Sequence, residues 1–377
     1  MAGSESASFQ DHFQDLNDPR VERTRKHPRI NIVFMAVCGV LSGANSFASI
    51  HEFALDRKTW FARYLDLTNG IPSEDTFGRV LARLNPAEFE KCLLSWIQAV
   101  QEVTTPRLIP IDGKALRGSY NRRDGRAAIH MVSAGSAENQ LSLGQVVVHE
   151  KSNEITAIPE LLRLLEISGA LVTIEAMGCQ KEIAAQIRQG DGDYVLAVKQ
   201  NQPTLYDQVN RAIEEALEGD AKDLDEHQII ETGHGRQEPR TYAVVAAPET
   251  VDPEGQWQDL SAVGMAISER VDSRGRQSIE TRYYIMSRHL SAQEFANAVR
   301  GHWSIENNLH WQLDVSFRED ECRVYRDHAP ANLSVIRRFA LGLLKRDKSC
   351  RRGIETKRLK CAANDEYREK VLFNTSN

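Results

Sequence analysis

The hydrophobic positions along the chain follow two patterns, and the first of them is helical. From residue 30 to about residue 103, apolar residues recur every three or four positions, as in amphipathic helices. Ser73 is a good N-cap for one of these helices, and Asn85 with Glu88 forms a capping box for the next. We therefore predict an all-helical N-terminal domain over residues 1–104.

Short apolar runs typical of buried strands follow this helical region. Over residues 105–217 they predict three strands, then a helix, and then strands alternating with helices. This order is that of the ribonuclease H-like (RNase H-like) fold, in which a mixed sheet is flanked by helices. The match concerns topology and does not by itself establish an activity. We predict an α/β fold whose RNase H-like core begins with these residues.

Three further segments complete the predicted organisation. Residues 218–288 are acidic and turn-rich at first and then alternate as short strands, which predicts a β-rich insertion. Residues 289–346 return to helical spacing and would complete the core. Residues 347–377 are assigned to a basic C-terminal tail, because ten cations and two acids lie between Arg337 and Lys360. Such a run suits a phosphate backbone, although charged tails are often only solvated.

The first helix after the insertion carries an acid on its apolar face. Ser291 and Glu294 form a capping box that marks its start. Steps of three and four residues then put six side chains on one face: Phe295, Val299, His302, Glu306, Leu309 and Leu313. A buried carboxylate at Glu306 is costly unless it is paired or binds a metal. An ordinary ion pair, or a partly exposed glutamate, explains this stretch equally well.

Two more acids stand where the predicted sheet would bring them close to Glu306. Asp112 ends the first apolar strand and Glu175 ends the fourth, where burial otherwise favours apolar side chains. Three convergent carboxylates repel one another unless cations neutralise them, and hard oxygen ligands suit Mg²⁺ or Mn²⁺. Two such ions would activate water or a 3′-hydroxyl for phosphoryl transfer. We therefore predict Asp112, Glu175 and Glu306 as catalytic and metal-binding residues.

Composition and charge argue against several other classes of protein. The net charge of −6 argues against a uniformly basic surface, and the six cysteines include no Cys-x-x-Cys pair. The longest apolar run, Ile32–Leu41, is too short to span a bilayer, and no secretory signal is evident. These features predict a cytoplasmic protein with reduced thiols and no membrane partner. Zinc held by His302, His310 and Cys322 is an alternative by ligand type, although the spacing is irregular.

Nine stretches distributed along the chain carry specific motifs. In sequence order they are DPRVERTRKHP (18–28), LSGANSF (41–47), NGIPSEDTFGRV (69–80), IDGKALRGS (111–119), KSNEITAIPELL (151–162), VTIEAMGCQKEIA (172–184), VKQNQ (198–202), HGRQEPR (234–240) and HWSIENNLHWQLDVSFRED (302–320). Together they resemble the insertion-sequence DDE transposases of the H-repeat-associated group, over nearly the whole chain. The resemblance implies an RNase H-like catalytic domain with a β-rich insertion between the second and third acids. The family's metal-binding triad would fall on Asp112, Glu175 and Glu306.

The resemblance also implies an activity, cofactors and partners. The activity is that of a DNA transposase, which hydrolyses phosphodiesters at the ends of an insertion sequence and transfers the strand to target DNA. The cofactors are two Mg²⁺ or Mn²⁺ ions per active site. The partners are double-stranded DNA, as terminal repeats and as target, and further copies of the chain in a homo-oligomer on paired ends.

Eight residues are candidates for contact with the nucleic acid. They are Lys114, Arg117, Lys199, Arg236, Arg240, Arg300, His302 and His310. Cations near a centre that cleaves a polyanion lower charge repulsion, and the two histidines lie near Glu306 in sequence. Solvated surface side chains are the alternative for the cations, and packed core histidines are the alternative for His302 and His310.

Glu175 departs from the family pattern. The family has aspartate at this position, in a motif similar to TIDAMGCQ, whereas this chain has TIEAMGCQ. The extra methylene moves the carboxylate by about one C–C bond, and misplacements of about 1 Å cost on the order of 100-fold in rate. Two alternatives therefore stand beside an active transposase. One is a catalytically impaired DNA-binding descendant, and the other is an RNase H-like nuclease without strand transfer.

Overall fold

Among the described residues, nine strands in one mixed sheet form the centre of this α/β protein. The computed structural model describes residues 9–100, 107–120, 127–136, 141–148, 153–219, 223–233, 236–271 and 276–373. The strands are β1 (Leu108–Leu116), β2 (Ile129–Ser136), β3 (Leu141–Val148), β4 (Leu171–Ile174), β5 (Asp193–Val198), β6 (Asp225–Gly233), β7 (Arg236–Ala246), β8 (Ala262–Val271) and β9 (Gln277–Met286). Their order across the sheet is β3-β2-β1-β4-β5-β9-β8-β7-β6. Strands β1, β4 and β5 are parallel, and the other neighbours are antiparallel.

Helices precede, separate and follow these strands. They are α1 (Arg29–Leu41), α2 (Phe47–Asp56), α3 (Lys58–Phe61), α4 (Glu74–Leu81), α5 (Pro86–Val100), α6 (Glu154–Leu164), α7 (Lys181–Gln189), α8 (Pro203–Glu218), α9 (Ala292–Ser304), α10 (Trp311–Phe317), α11 (Ala329–Arg346), α12 (Ile354–Ala363) and α13 (Asp365–Phe373). From β1 to α8 the order of strands and helices is the one predicted from the hydrophobic pattern. In the described part of the chain, no helix is both long and apolar enough to cross a membrane.

Strand β5 is buried on both faces of the sheet, and this burial explains why its sequence is almost continuously apolar. Tyr194, Leu196 and Val198 pack in a core that α6, α7 and α8 cover on one face of the sheet. Val195 and Ala197 point the other way and pack in a second core, under α9. Successive strand residues face opposite sides, so a strand buried on both faces is apolar throughout.

The strands predicted as a β-rich insertion extend the same sheet. Strand β9 pairs antiparallel with β5, and β8, β7 and β6 follow in order. This pairing covers the edge of β5, whose backbone N–H and C=O groups would otherwise be exposed. The β-rich segment therefore continues the sheet that carries Asp112.

The last two helices, α12 and α13, pack against the N-terminal helices in one shared hydrophobic core. Cations expected in a basic tail point inward there. Arg358 donates to the carbonyl of Val40 at 2.9 Å, Lys357 to that of Leu344 at 2.7 Å, and Arg368 to that of Cys361 at 2.7 Å. Each of these carbonyls lies in the last turn of a helix, where no intrahelical donor is available. Residues 354–373 are thus folded helices rather than a free tail.

The turn after β1 makes a close approach to the segment that follows α10. A Cβ on Gly118 would overlap the carbonyl oxygen of Cys322, which is backbone and cannot move independently. We expect Gly118→Ala to lower the free energy of unfolding by about 2 kcal/mol, as overpacked sites do. Urea denaturation measures this loss. The matched control is Gly353→Ala, where no atom lies within 4 Å, and its effect should stay within about 0.5 kcal/mol. Equal effects of the two variants would contradict the close approach.

Candidate active site

Asp112 and Glu175 lie side by side on neighbouring parallel strands. The last paired residues of β1 and β4 are Ile111 and Ile174, and the two acids follow them in register. Strand β1 continues to Leu116, so Asp112 lies within the strand and not at its end, as the sequence had suggested. Glu175 comes directly after β4, as predicted. The sheet therefore brings together two of the three predicted acids.

A histidine from the region of α9 faces each of these carboxylates. His302 Nε2 lies 3.7 Å from Glu175 Oε1, and His310 Nδ1 lies 3.4 Å from Asp112 Oδ2. Helix α9 approaches β1 closely at Gly301, where a Cβ would overlap the side chain of Leu108. The glycine allows the helix to lie on the strand, and this contact brings both imidazoles to the carboxylates.

The ring of His302 is held from its other side. Thr173 Oγ1 and His302 Nδ1 are 2.9 Å apart, in hydrogen-bonding distance. Thr173 precedes Glu175 by two residues on the same face of the strand. Burial lowers the pKa of His302, and the charge of Glu175 opposes this shift in part. The hydroxyl thus orients the ring with Nε2 towards Glu175, in the way that outer partners orient histidine ligands.

His310 is neutral at ordinary pH. Burial is the main cause of a pKa lowered to about 3, and the charges of Arg338 and Lys114 lower it further. Among the described residues, Nε2 of neither His302 nor His310 has a hydrogen-bond partner. The Nε2 atom of His302 faces Glu175, whereas in His310 the nitrogen that faces Asp112 is Nδ1. Two buried Nε2 atoms without partners are unusual, because buried polar atoms are nearly always bonded.

Glu306 lies in a π-helix, Ile305–His310, which joins α9 to α10. The backbone of Glu306 is described, but its side chain lies outside the described residues. The capping box at the start of α9 is present as predicted: the Ser291 hydroxyl accepts from the Glu294 amide, and the Glu294 carboxylate from the Ser291 amide. The regular α-helical stepping predicted through residue 313 does not hold beyond Ser304. A π-helix places more residues in each turn, and such turns are frequent at functional sites.

The predicted cationic contacts occupy different environments. Lys114 has a 9% exposed side chain, and its ammonium donates to Asp314 at 2.6 Å and to Glu319 at 2.9 Å. Lys199 is more than half exposed and lies 3.5 Å from Glu175 Oε2. Lys114 therefore faces one buried and one partly exposed carboxylate, whereas Lys199 faces the site and solvent.

The predicted arginines also differ in their surroundings. Arg117 is largely exposed, 3.7 Å from a carboxylate oxygen of Asp320. Arg240 and Arg300 both bind Glu231, at 3.0 and 2.7 Å. The side chain of Arg236 lies outside the described residues.

A polar cavity of about 550 Å³ lies between α9 and the strands β6 to β9. Its lining includes four arginines, two acids and three aromatic residues: Arg240, Arg270, Arg282, Arg300, Glu231, Glu280, Tyr242, Tyr284 and Trp303. The guanidinium of Arg282 lies 4.2 Å from the ring centroid of Trp303. The charge of Glu175 acts on both Arg282 and Tyr284 of this lining, so the cavity lies near Glu175. Arg270 and Arg282 were not predicted as site residues, although the alternation of side chains along β8 and β9 places both on one face of the sheet.

The donor set at the site suits a hard cation. Asp112 and Glu175 offer carboxylate oxygens from adjacent strands, which fits Mg²⁺ or Mn²⁺. Within the described side chains, no group of three histidine, cysteine, aspartate or glutamate residues is placed to hold a metal ion. The zinc alternative was therefore wrong: Cys322 does not join His302 and His310, and its thiol instead donates to the carbonyl of Asn45 at 3.6 Å.

Comparison with known proteins identifies the family. A model described as "Transposase DDE domain" matches residues 103–343, and one described as "DDE_Tnp_1-associated" matches residues 10–97. "Putative transposase YncI" of Escherichia coli O157:H7 is 41% identical over 372 residues, which cover 98% of this chain and 95% of the relative. "H repeat-associated putative transposase YhhI" of Escherichia coli strain K12 is 38% identical over 375 residues, which cover 98% of both chains. The chain therefore belongs to the DDE transposase family, within its H-repeat-associated group.

Proposed function

We propose that this chain is a DNA transposase that hydrolyses phosphodiesters at insertion-sequence ends and joins the 3′-hydroxyls to target DNA. The observation that carries the proposal is the adjacent placement of Asp112 and Glu175, beside the helical segment that contains Glu306. Two Mg²⁺ or Mn²⁺ ions held by these three residues would supply activation of water or hydroxyl and stabilisation of the leaving oxygen. The strand order β3-β2-β1-β4-β5 supports an RNase H-like core.

The two histidines would keep the carboxylates in position. His302, oriented by Thr173, presents Nε2 to Glu175, and His310 presents Nδ1 to Asp112. At 3.7 and 3.4 Å these contacts are longer than typical hydrogen bonds. A small movement of either ring would let the imidazole donate one N–H to its carboxylate and so fix the direction of that carboxylate. In this arrangement neither histidine needs to contact DNA.

The arginine-lined cavity and Lys199 support binding of a polyanion near Glu175. Four arginines against two acids leave the lining cationic, although the whole chain carries a net charge of −6. Phosphates attract such a surface strongly at low salt. We further propose that the N-terminal region, predicted as a helical domain over residues 1–104, contacts element ends or another copy of the chain. A cytoplasmic homo-oligomer on paired ends is part of the same proposal.

A single assay separates the three possible activities. The protein is incubated with Mg²⁺ or Mn²⁺ and with DNA that carries the terminal repeats flanking its own gene. Joined products support transposition, and cleavage without joining supports an RNase H-like nuclease. Binding without cleavage supports a catalytically impaired DNA-binding descendant. This hypothesis is based on Glu175, which stands where the family has aspartate.

Glu175→Asp directly tests the hypothesis that the chain is a catalytically impaired descendant. We expect the variant to cleave about 100-fold faster than the unmodified chain, because the shorter side chain returns the carboxylate by about 1 Å. Single-turnover cleavage at saturating DNA measures the change. Glu182→Asp, the same substitution on an exposed position of α7, is the control and should leave the rate unchanged. A slower Glu175→Asp variant would mean that the site is built around glutamate.

A further inference from the structure

The ammonium of Lys114 joins the strand that carries Asp112 to the helical segment that carries Glu306. We propose that Lys114 is a positioning residue for the site, and that it sets the placement of Glu306 relative to Asp112 without contacting DNA. The inference rests on the proposed function, since it concerns the geometry of the same carboxylates.

Lys114 follows Asp112 by two residues on β1, so both side chains leave the same face of the strand. Its ammonium donates to Asp314 Oδ1 at 2.6 Å and to Glu319 Oε2 at 2.9 Å. Asp314 lies within α10, which continues directly from the π-helix of Glu306, and Glu319 lies just beyond the end of α10. One cation therefore holds both the middle and the end of this helix against β1.

Glu319 reaches Lys114 because the chain turns sharply after α10. Arg318 adopts a left-handed conformation with φ of 49°, which ends the helix and directs the next residue back towards the sheet. Glu319 is only 2% exposed, and Arg337 of α11 lies 3.8 Å from its second oxygen. Charges buried to this degree persist only when they are paired, so the arrangement has few alternatives.

The segment with Glu306 is thus tied to β1 on both sides. On the N-terminal side, α9 lies against β1 where Gly301 meets Leu108. On the C-terminal side, Lys114 binds Asp314. A π-helix has less favourable geometry than an α-helix and depends on its surroundings. With both ends fixed to the strand of Asp112, the position of Glu306 follows from that strand.

The test compares Lys114→Met with a matched control. Lys357→Met also removes a buried lysine that lies near a buried carboxylate, here Asp347, in a part of the helical core without predicted catalytic residues. Hydrogen exchange reports the amides of residues 305–317 in the full-length protein. In Lys114→Met we expect the exchange rate of these amides to rise at least about tenfold more than the exchange rate of the α7 amides. In Lys357→Met the exchange rates of residues 305–317 relative to those of α7 should stay as in the unmodified chain. Unchanged local exchange in Lys114→Met would overturn the proposal.

The second readout compares the effect of Lys114→Met on DNA affinity with its effect on the rate of cleavage. Single-turnover cleavage by Lys114→Met at saturating DNA should slow about 10- to 100-fold, as for loss of a supporting residue, while the DNA Kd stays within about twofold. A phosphate contact gives the opposite pattern: weaker binding, and a salt dependence whose log–log slope falls by about one. That pattern would overturn the proposal.

Lys114→Met leaves a buried carboxylate without its main partner, so a second variant protects the test against misfolding. The double variant Lys114→Met/Glu319→Gln removes both charges together and should show the same local exchange and slow cleavage. If the unmodified chain does not cleave, the proposed function fails, while hydrogen exchange still reports on the tie to β1. If it cleaves and local exchange does not respond in either variant, only the positioning role fails.

Discussion

Asp112→Asn is expected to slow metal-dependent DNA cleavage about 1000-fold while DNA binding stays within about twofold. The amide keeps the shape of the side chain but removes the negative charge that a divalent cation requires, and loss of one charge-stabilising group at an active site costs up to about 1000-fold. The side chain of Asp112 is mostly buried beside His310, so bulk solvent cannot replace it. Single-turnover cleavage and titration of labelled DNA measure the two quantities.

Asp320→Asn is the matched control for this substitution. Asp320 lies in the segment after α10, where it contacts the exposed Arg117 at 3.7 Å. An ion pair with one largely exposed partner contributes little, so cleavage should stay within about threefold. If Asp112→Asn cleaves DNA at a rate within tenfold of that of the unmodified chain, Asp112 is not a catalytic residue of the proposed site.

Glu319→Gln is expected to lower the free energy of unfolding at pH 7 by roughly 3 to 4 kcal/mol. Burial alone would raise the pKa of Glu319. The charges of Lys114, Arg337 and Arg338 outweigh burial and lower the pKa to about 2. The ordinary pKa of glutamate is 4.5, so a pKa lowered to about 2 corresponds to roughly 3 to 4 kcal/mol, at about 1.4 kcal/mol for each tenfold change in acidity. Urea denaturation measures the loss, because glutamine resembles the protonated acid.

The same pKa shift fixes how this loss depends on pH. The folded-state pKa of Glu319 lies below its unfolded value, so its contribution is present above about pH 4.5 and is lost as pH falls towards 2. The difference between the unmodified chain and Glu319→Gln should therefore be constant near neutral pH and narrow in acid. Glu321→Gln, on an exposed neighbour with a 72% exposed side chain, should change stability by less than about 0.5 kcal/mol. If the stability difference between the unmodified chain and Glu319→Gln is as large at pH 3 as at pH 7, the ion pairs of Glu319 are not its cause.

The sequence predicts the strand and helix order of the core well, because that order depends on local periodicity. The apolar run of β5 and the capping box at Ser291 are local signals, and both appear in the structure. The π-helix around Glu306 was not predictable in this way. Over six residues, the spacing of buried side chains in a π-helix differs too little from that of an α-helix to be read from composition.

The direction of the charged side chains was the part that sequence could not give. Lys114 was predicted as a phosphate contact, and Arg358 was counted in a basic tail. Their observed partners, Glu319 and the carbonyl of Val40, are 205 and 318 residues away in the chain. A charge count along the sequence contains no information on such distant partners, so both residues looked like free surface cations.

The packing of α13 against the N-terminal helices has a consequence for folding during translation. The indole of Trp60 donates to Glu369 at 2.6 Å, across 309 residues of sequence. A ribosome that adds about 5–20 residues per second needs roughly 15–60 s to translate that interval. Throughout this time the nascent N-terminal helices lack the surface that closes their core. Their early contact with chaperones, and their protection from proteases, therefore depend on how soon translation reaches the distant helix.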